Sequence, residues 1–281
     1  MYKIVNRAMY IVNHWKYSQP KRMRKGYYDC SALVWKGYKS YKHYNKKLGS
    51  GSYAKTAASL FDYLKEKNLL NYGVPYIGFW NKVDDIPWDK LPNKFVLKCN
   101  HGCAYNIICS NKDELDIIEA KKKLSKWLKE DFSEFNAEPH YSHIKRGIIC
   151  EEYLGDGNSD FLIDYKIHCF NGKPKFVLIC SGRAQRSAEY IYYDLNWDEL
   201  PYSNTESSHF SKPTSFSEMI DVCNVIAKDF PFVRVDFYDI NGRPYIGELT
   251  FVPAGGLDNT IPYEADVKIG KMFDISSLEK Q

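Results

Sequence analysis

The chain has 281 residues, 44% hydrophobic and 26% charged, a globular balance that buries a core without staples and excludes wholesale disorder. Its net charge of +4 hides an asymmetry: residues 1–48 hold twelve Lys/Arg and one acid, Asp29, while the remainder holds twenty-seven bases against thirty-four acids. Neither an 18-residue apolar run nor a charged-then-apolar leader is visible, so a spanning helix is excluded and a cytoplasmic location is expected.

The basic front segment also carries ten aromatics, among them Trp15, Tyr17, Tyr27, Tyr28 and Trp35. Such a segment suits anionic lipid headgroups, an acidic glycan or nucleic acid; equally, it suits a helical arm that packs its aromatics inward and turns its lysines to water. We read residues 1–48 as a basic helical arm, followed by a flexible joint at Gly49-Ser-Gly-Ser52. Apolar residues at Tyr53, Ala57, Leu60, Phe61 and Leu64 have helical spacing. Val74–Trp80 is extended, Phe95–Cys99 and Tyr105–Cys109 are strands, and His101-Gly102 lies in the turn between them. Asn111 with Glu114 reads as a capping box opening a helix that runs to about Asp131. Gly147–Leu154 is a further strand, and the polar segment Gly155–Asp160 reads as a hinge between units at 49–154 and 155–281. Asn171-Gly172 and Asn241-Gly242 each mark a hairpin, joining Asp164–Phe170 to Lys173–Ser181 and closing Phe232–Phe251. Between them, Ser215 and Glu218 open a helix striped by Met219, Val222, Cys223, Ile226 and Phe230.

Most of the eight cysteines sit in apolar, strand-like runs and are expected to be reduced and buried. Cys99-Asn-His101-Gly-Cys103 lacks a second Cys/His pair at ligand spacing, so zinc is not expected there.

The last hairpin carries the clearest chemical signal. Strands otherwise built for burial contain Arg234, Asp236, Glu248 and Thr250, and buried acids need a partner. Alternation puts Arg234 with Asp236 on one face and Glu248 with Thr250 on one face. A two-residue turn at Asn241-Gly242 would set Ile240 opposite Arg243 and split the acids between faces. A three-residue loop with Gly242 in a bulge would set Asp239 opposite Arg243 and gather all four polar groups. The second register is the one expected. Two carboxylates and a hydroxyl then suit magnesium, with Arg234 offsetting phosphate charge. The bland alternative is an Arg-Asp-Glu cluster that ties two strands together.

Five segments in order, Lys94–Gly102, Cys150–Leu154, Asp164–Lys166, Arg234–Asp236 and Gly247–Pro253, make the chain resemble ATP-grasp proteins, and more narrowly their TupA-like polysaccharide-biosynthesis branch. The resemblance spans roughly residues 50–270 and implies two α+β subdomains clamping ATP. It implies Lys98 near the nucleotide phosphates, and Glu151, Glu152, Tyr153 and Leu154 holding adenine, partly by backbone. Asp164, Lys166 and Arg183 would be nucleotide or phosphate contacts, Arg183 and Arg234 the catalytic cations, and Asp236, Glu248 and Thr250 the magnesium ligands. Thr250 stands where many relatives have Asn. The loop after Asn100-His-Gly102 reads Cys103-Ala-Tyr-Asn106 instead of small residues and glycines, and an acidic-basic pair is replaced by Ser52-Tyr-Ala-Lys55. The implied reaction is ATP-dependent ligation of an amine or amino acid to a uronic-acid carboxylate of a surface glycan or its activated precursor. The implied alternatives are a kinase or glycosyltransferase-associated role, or a non-catalytic ATP-binding subunit. In this reading the basic arm serves an acidic glycan or the inner membrane face, and nucleic acid is the disfavoured partner.

Overall fold

A computed structural model describes residues 57–132, 144–155, 162–182, 189–203, 209–251, 253–256, 258 and 260–273, together with a short parallel pairing of Lys16–Tyr17 with Tyr27–Tyr28. The rest of the expected arm, the joint at 49–52 and most of the expected hinge lie outside the described residues. Helix α1 (Ala57–Glu66) leads through a turn at Leu70–Tyr72 into a four-stranded antiparallel sheet. Its strands are β1 (Tyr76–Trp80), β2 (Phe95–Cys99), β3 (Asn106–Cys109) and β4 (Ile148–Glu152), in the order β1-β4-β2-β3, with α2 (Ile117–Trp127) between β3 and β4 in sequence. The second sheet has six antiparallel strands: β5 (Asp164–Phe170), β6 (Lys173–Ser181), β7 (Glu189–Asp194), β8 (Glu199–Leu200), β9 (Phe232–Ile240) and β10 (Arg243–Thr250). Their order is β8-β7-β6-β5-β9-β10; α3 (Phe216–Ile226) precedes β9, and α4 (Tyr263–Gly270) follows β10. The α+β expectation holds.

Period-two alternation builds each layer. In β2, Phe95, Leu97 and Cys99 are buried in a core shared with Leu124 of α2, while Val96 and Lys98 face the opposite side. In β5 all seven residues are buried, because both faces are covered. Tyr165, Ile167 and Cys169 enter the main core with Met219, Val222, Cys223 and Ile226 of α3, each apolar side chain contributing about 1.5–3 kcal/mol. Phe170, on the other face, joins Phe176, Tyr192, Tyr202 and Ala265 of α4 in a smaller cluster. Asp164, Lys166 and His168 share that face, so one side of the large sheet is apolar toward α4 and charged toward β10.

Three local expectations need correction. Asn111 does act as a cap, its Oδ1 accepting from the Asp113 amide at 3.2 Å, but its link to Glu114 is a side-chain bond from Nδ2 to Oε1 at 2.8 Å and not the reciprocal box, and it caps a single 3-10 turn, Lys112–Glu114. Helix α2 begins only at Ile117, where Asp116 accepts from the Glu119 amide. Ser215 precedes α3 without capping it, because its hydroxyl donates to Asp239 instead. Strands β7 and β8 and helix α4 went unread: the run Tyr190-Ile-Tyr-Tyr193 lacks polar alternation, and β8 has only two residues. Six of the seven described cysteines are buried, as expected; Cys103 is exposed. No helix among the described residues is long and apolar enough to cross a membrane.

Candidate active site

The hairpin gathers its polar residues by a route different from the one expected. Asn241 and Gly242 adopt φ of 54° and 80°, the two left-handed positions of a two-residue turn, and Ile240 pairs with Arg243. Asp239 fixes this turn by accepting from the Gly242 amide at 2.9 Å and from the Ser215 hydroxyl. A three-residue loop is therefore excluded. Between Phe237↔Ile246 and Asp236↔Glu248 the register shifts by one, with Gly247 as the extra residue. Beyond this bulge Asp236 stands opposite Glu248 and Arg234 opposite Thr250, so all four side chains share one face.

Strand β5 completes that face from the other side. Lys166 pairs with Asp236 and His168 with Arg234. The Arg234 guanidinium grips Asp236 with two bonds of 2.7 Å, Nε to Oδ1 and Nη2 to Oδ2, and Nη2 also donates to Thr250 Oγ1 at 3.0 Å. Lys166 Nζ donates to Asp236 Oδ2 at 2.5 Å and lies 3.7 Å from Asp164 Oδ1. Asp236 and Lys166 are buried, and so is Asp164. Burial alone would raise the Asp236 carboxyl, but Arg234 and then Lys166 outweigh it and hold the group well below its usual range. Asp236 therefore stays ionised as a fixed anion between two fixed cations.

Glu248 lies on the same face opposite Asp236, crowded by protein yet open to solvent. Desolvation and then the Asp236 charge push its carboxyl above the usual range, against Arg234, Lys166 and a hydrogen bond from Thr250. Thr250 thus links Arg234 to Glu248.

From the small sheet, Lys98 reaches into the same field. Its ammonium pairs with Glu151 at 2.5 Å, and desolvation, which lowers its pKa, is overcome by Glu151, Tyr238 and Glu248, which raise it. Lys98 and Glu151 share a face because their ladder partners, Ile149 and Val96, alternate with them on β4 and β2. Glu151 is consequently engaged with Lys98. The Glu152 amide donates to Pro75 at 2.9 Å, and Tyr153 and Leu154 lie just past the strand end. The Lys94 ammonium lies 5.8 Å from the Tyr153 ring centroid. Arg183 lies outside the described residues.

Two participants were missed. His168 lies flat on Phe176, with centroids 4.5 Å apart, and its Nδ1 meets the Lys166 carbonyl at 3.1 Å. Desolvation and the neighbouring Arg234 lower its pKa to about 3, so it sits neutral beside two cations. Tyr238, raised to about 12 mainly by desolvation, faces Lys98. The alternation Asp164, Lys166, His168 could have found the first.

The loop that departs from the family pattern is held down. Tyr105 stacks on Trp127 at 5.4 Å and meets Phe132 edge-on at 5.6 Å, and its hydroxyl donates to Glu130 at 2.6 Å. Gly102 permits this approach: a Cβ there would fall 2.6 Å from the Tyr105 ring.

Among the described residues no three His, Cys, Asp or Glu side chains form a metal cage. The face offers two carboxylates and a hydroxyl, an all-oxygen set that fits magnesium when phosphate and water supply the other ligands.

Comparison with solved structures gives weak likenesses. A D-alanine–D-alanine ligase from Bacillus anthracis complexed with ATP has a TM-score of 0.49 and 14% identity, over 98% of this chain and 92% of that one. An L-amino acid ligase from Bacillus licheniformis has a TM-score of 0.43 and 14% identity, over 73% of this chain and only 42% of that one. The ATP-grasp ligase PsnB, complexed with minimal precursor, Mg and ADP, has a TM-score of 0.41 and 12% identity, over 84% of this chain and 60% of that one. No curated protein matches the chain. The sequence model of the TupA-like ATP-grasp family matches residues 42–274, most of the chain, in the span that holds every described residue of this face; the chain belongs to that family.

Proposed function

We propose that this chain is an ATP- and magnesium-dependent carboxylate–amine ligase that forms an amide through an acyl phosphate. Its acceptor in this reading is a uronic-acid carboxylate of a surface polysaccharide or its activated precursor, and its donor is an amino acid or another amine. The observation that carries the reading is the oxygen-lined, cation-rich face of the large sheet, with Lys98 opposite, in a chain of this family. An acceptor carboxylate oxygen bonds to the γ-phosphorus as the bond to the ADP oxygen breaks. The amine nitrogen then attacks the acyl carbon, phosphate leaves with the C–O electron pair, and the amine proton passes to solvent. Lys98, Lys166 and Arg234 offset the charge that spreads over the transferred phosphoryl oxygens, and Arg183 is assigned the same task. Magnesium held by Glu248 and Asp236, with Thr250 beside them, would act as a Lewis acid on phosphate oxygens. Each carboxylate oxygen has two lone pairs, so Asp236 can serve Arg234 and a cation together. The basic segment 1–48 would keep the enzyme at an anionic glycan or the inner membrane face.

The pinned Tyr105 loop favours a second reading, a non-catalytic ATP-binding subunit. ADP release with magnesium, uronic-acid glycans and mixed amino acids, followed by mass spectrometry of the glycans, separates the possibilities. A mass gain matching an amide, lost in Glu248→Ala, is expected. A gain of phosphate means a kinase, and ATP binding without ADP release means the binding subunit.

A further inference from the structure

A cavity of about 450 Å³ adjoins the charged face, where the two sheets meet the connector Leu70–Pro75. Small-molecule sites occupy ~300–1,000 Å³, so it has room for a compact ligand. Three separate parts of the chain wall it. Leu60 and Leu64 of α1 and Val74 of the connector give an apolar side, Tyr76 and Glu152 come from the small sheet, and Arg243 comes from the rim of the large one. The walls are tied together by the Gly73↔Ile246 bridge between connector and β10.

Besides Glu151, which pairs with Lys98, the lining carries two charges of opposite sign. Arg243 is exposed, its guanidinium lies 5.0 Å from the Tyr245 ring centroid, and its Nη2 donates to the Asn71 carbonyl at 3.0 Å. That arrangement holds the planar group in place while leaving most of its five N–H donors for another acceptor. Among the described residues no carboxylate pairs with it. Glu152 is exposed at the end of β4, and among the described residues no cation pairs with it; its neighbour Glu151 is already engaged with Lys98. Surface charges facing one cavity usually find each other or point to bulk water. Here an anchored cation and an acid share the lining of a pocket whose third side is aliphatic.

We infer that this cavity is a binding site for a free α-amino acid with a bulky apolar side chain, its carboxylate on Arg243, its ammonium on Glu152 and its side chain against Leu60, Leu64 and Val74. A ligand with both charges matches both wall groups, whereas a plain amine or acid leaves one of them unmatched. Because both sheets wall the cavity, an occupant also bridges them. Glu151, which also lines the cavity, pairs with Lys98, so the cavity adjoins the charged face; none of Asp236, Glu248 or Thr250 lines it, and its occupancy can be read without ATP.

The test is calorimetric titration of the whole chain, without ATP, using L-leucine, isopentylamine and 4-methylpentanoate as probes. L-leucine is expected to bind at least tenfold more tightly than either single-charge analogue. R243M should remove the preference for leucine over the amine, and E152Q the preference over the acid. Val74→Phe should abolish binding by filling the cavity, with circular dichroism confirming that each variant is folded. No leucine binding by the wild type, or leucine binding unchanged in both charge variants, overturns the inference. ADP release measured in parallel distinguishes the two failures: leucine binding without ADP release leaves this site standing and removes the ligase, and the reverse removes only this site.

Discussion

Both oxygens of Asp236 are taken by Arg234, and one also by Lys166, so Asp236→Asn would strand two cations inside the protein. Breaking a buried pair from one side costs about 3–5 kcal/mol, and a loss of that size is expected in urea unfolding at neutral pH. An unchanged midpoint would mean that solvent reaches these groups. Because the folded pKa of Asp236 is depressed, its contribution is present above the ordinary value of 3.8 and disappears as pH falls below it. His168 acts in the same direction for a different reason. Its pKa falls from 6.5 to about 3 on folding, so the unfolded chain binds the proton first and stability declines as pH drops from 6.5 toward 3. His168→Phe, which preserves the stack on Phe176, should flatten the unfolding free energy between pH 6.5 and 4.5; an unaltered slope would place the sensitivity elsewhere. Asp236 and Glu248 stood out in the sequence because charge within an apolar strand is conspicuous, whereas Lys98 was singled out only by the family resemblance. The neutral His168 and the engagement of Glu151 by Lys98 were not legible, because both depend on which strand lies alongside.

At the scale of elements, both Asn-Gly hairpins were legible, and Asn171-Gly172 joins the strands as read. The register of the second was misread because a single loop was asked to do two jobs. The turn obeys local Asn-Gly chemistry, and the correction that brings Glu248 round to Asp236 occurs five residues later at Gly247. A bulge has almost no sequence signature beyond such a glycine in a strand. The α2 start was also misplaced, since Asn111 and Asp116 both carry cap chemistry and only the second opens an α-helix. The Tyr105 loop tests how much one side chain governs an element. Its hydroxyl bond to Glu130 joins a charged acceptor, a class worth about 1.5–3 kcal/mol, and two aromatic contacts add to it. Tyr105→Ala should speed amide exchange of residues 102–106 at least tenfold, and Tyr105→Phe by less. If neither changes exchange, the loop is held by its backbone and not by this ring.

Across the whole molecule the two sheets have separate cores, each built from its own alternation of apolar residues, which is the α+β character that the resemblance implied. Lys98 lies 138 and 150 positions from Asp236 and Glu248, so spacing along the chain does not group these charges and only the family resemblance did. A ligand seated between the sheets should stabilise both together: at 100 times its Kd it adds about 2.7 kcal/mol, raising the unfolding temperature in a single transition. Two transitions, with only one shifted, would show that the nucleotide sits on one sheet alone. The most direct test of the account is titration of a non-hydrolysable ATP analogue into the wild type, Lys98→Ala and Glu248→Ala, with and without magnesium. The account predicts magnesium-enhanced binding by the wild type, at least tenfold weaker binding by Lys98→Ala, and loss of the magnesium enhancement in Glu248→Ala. Wild-type binding that is indifferent to magnesium, or equally tight in all three proteins, would contradict it.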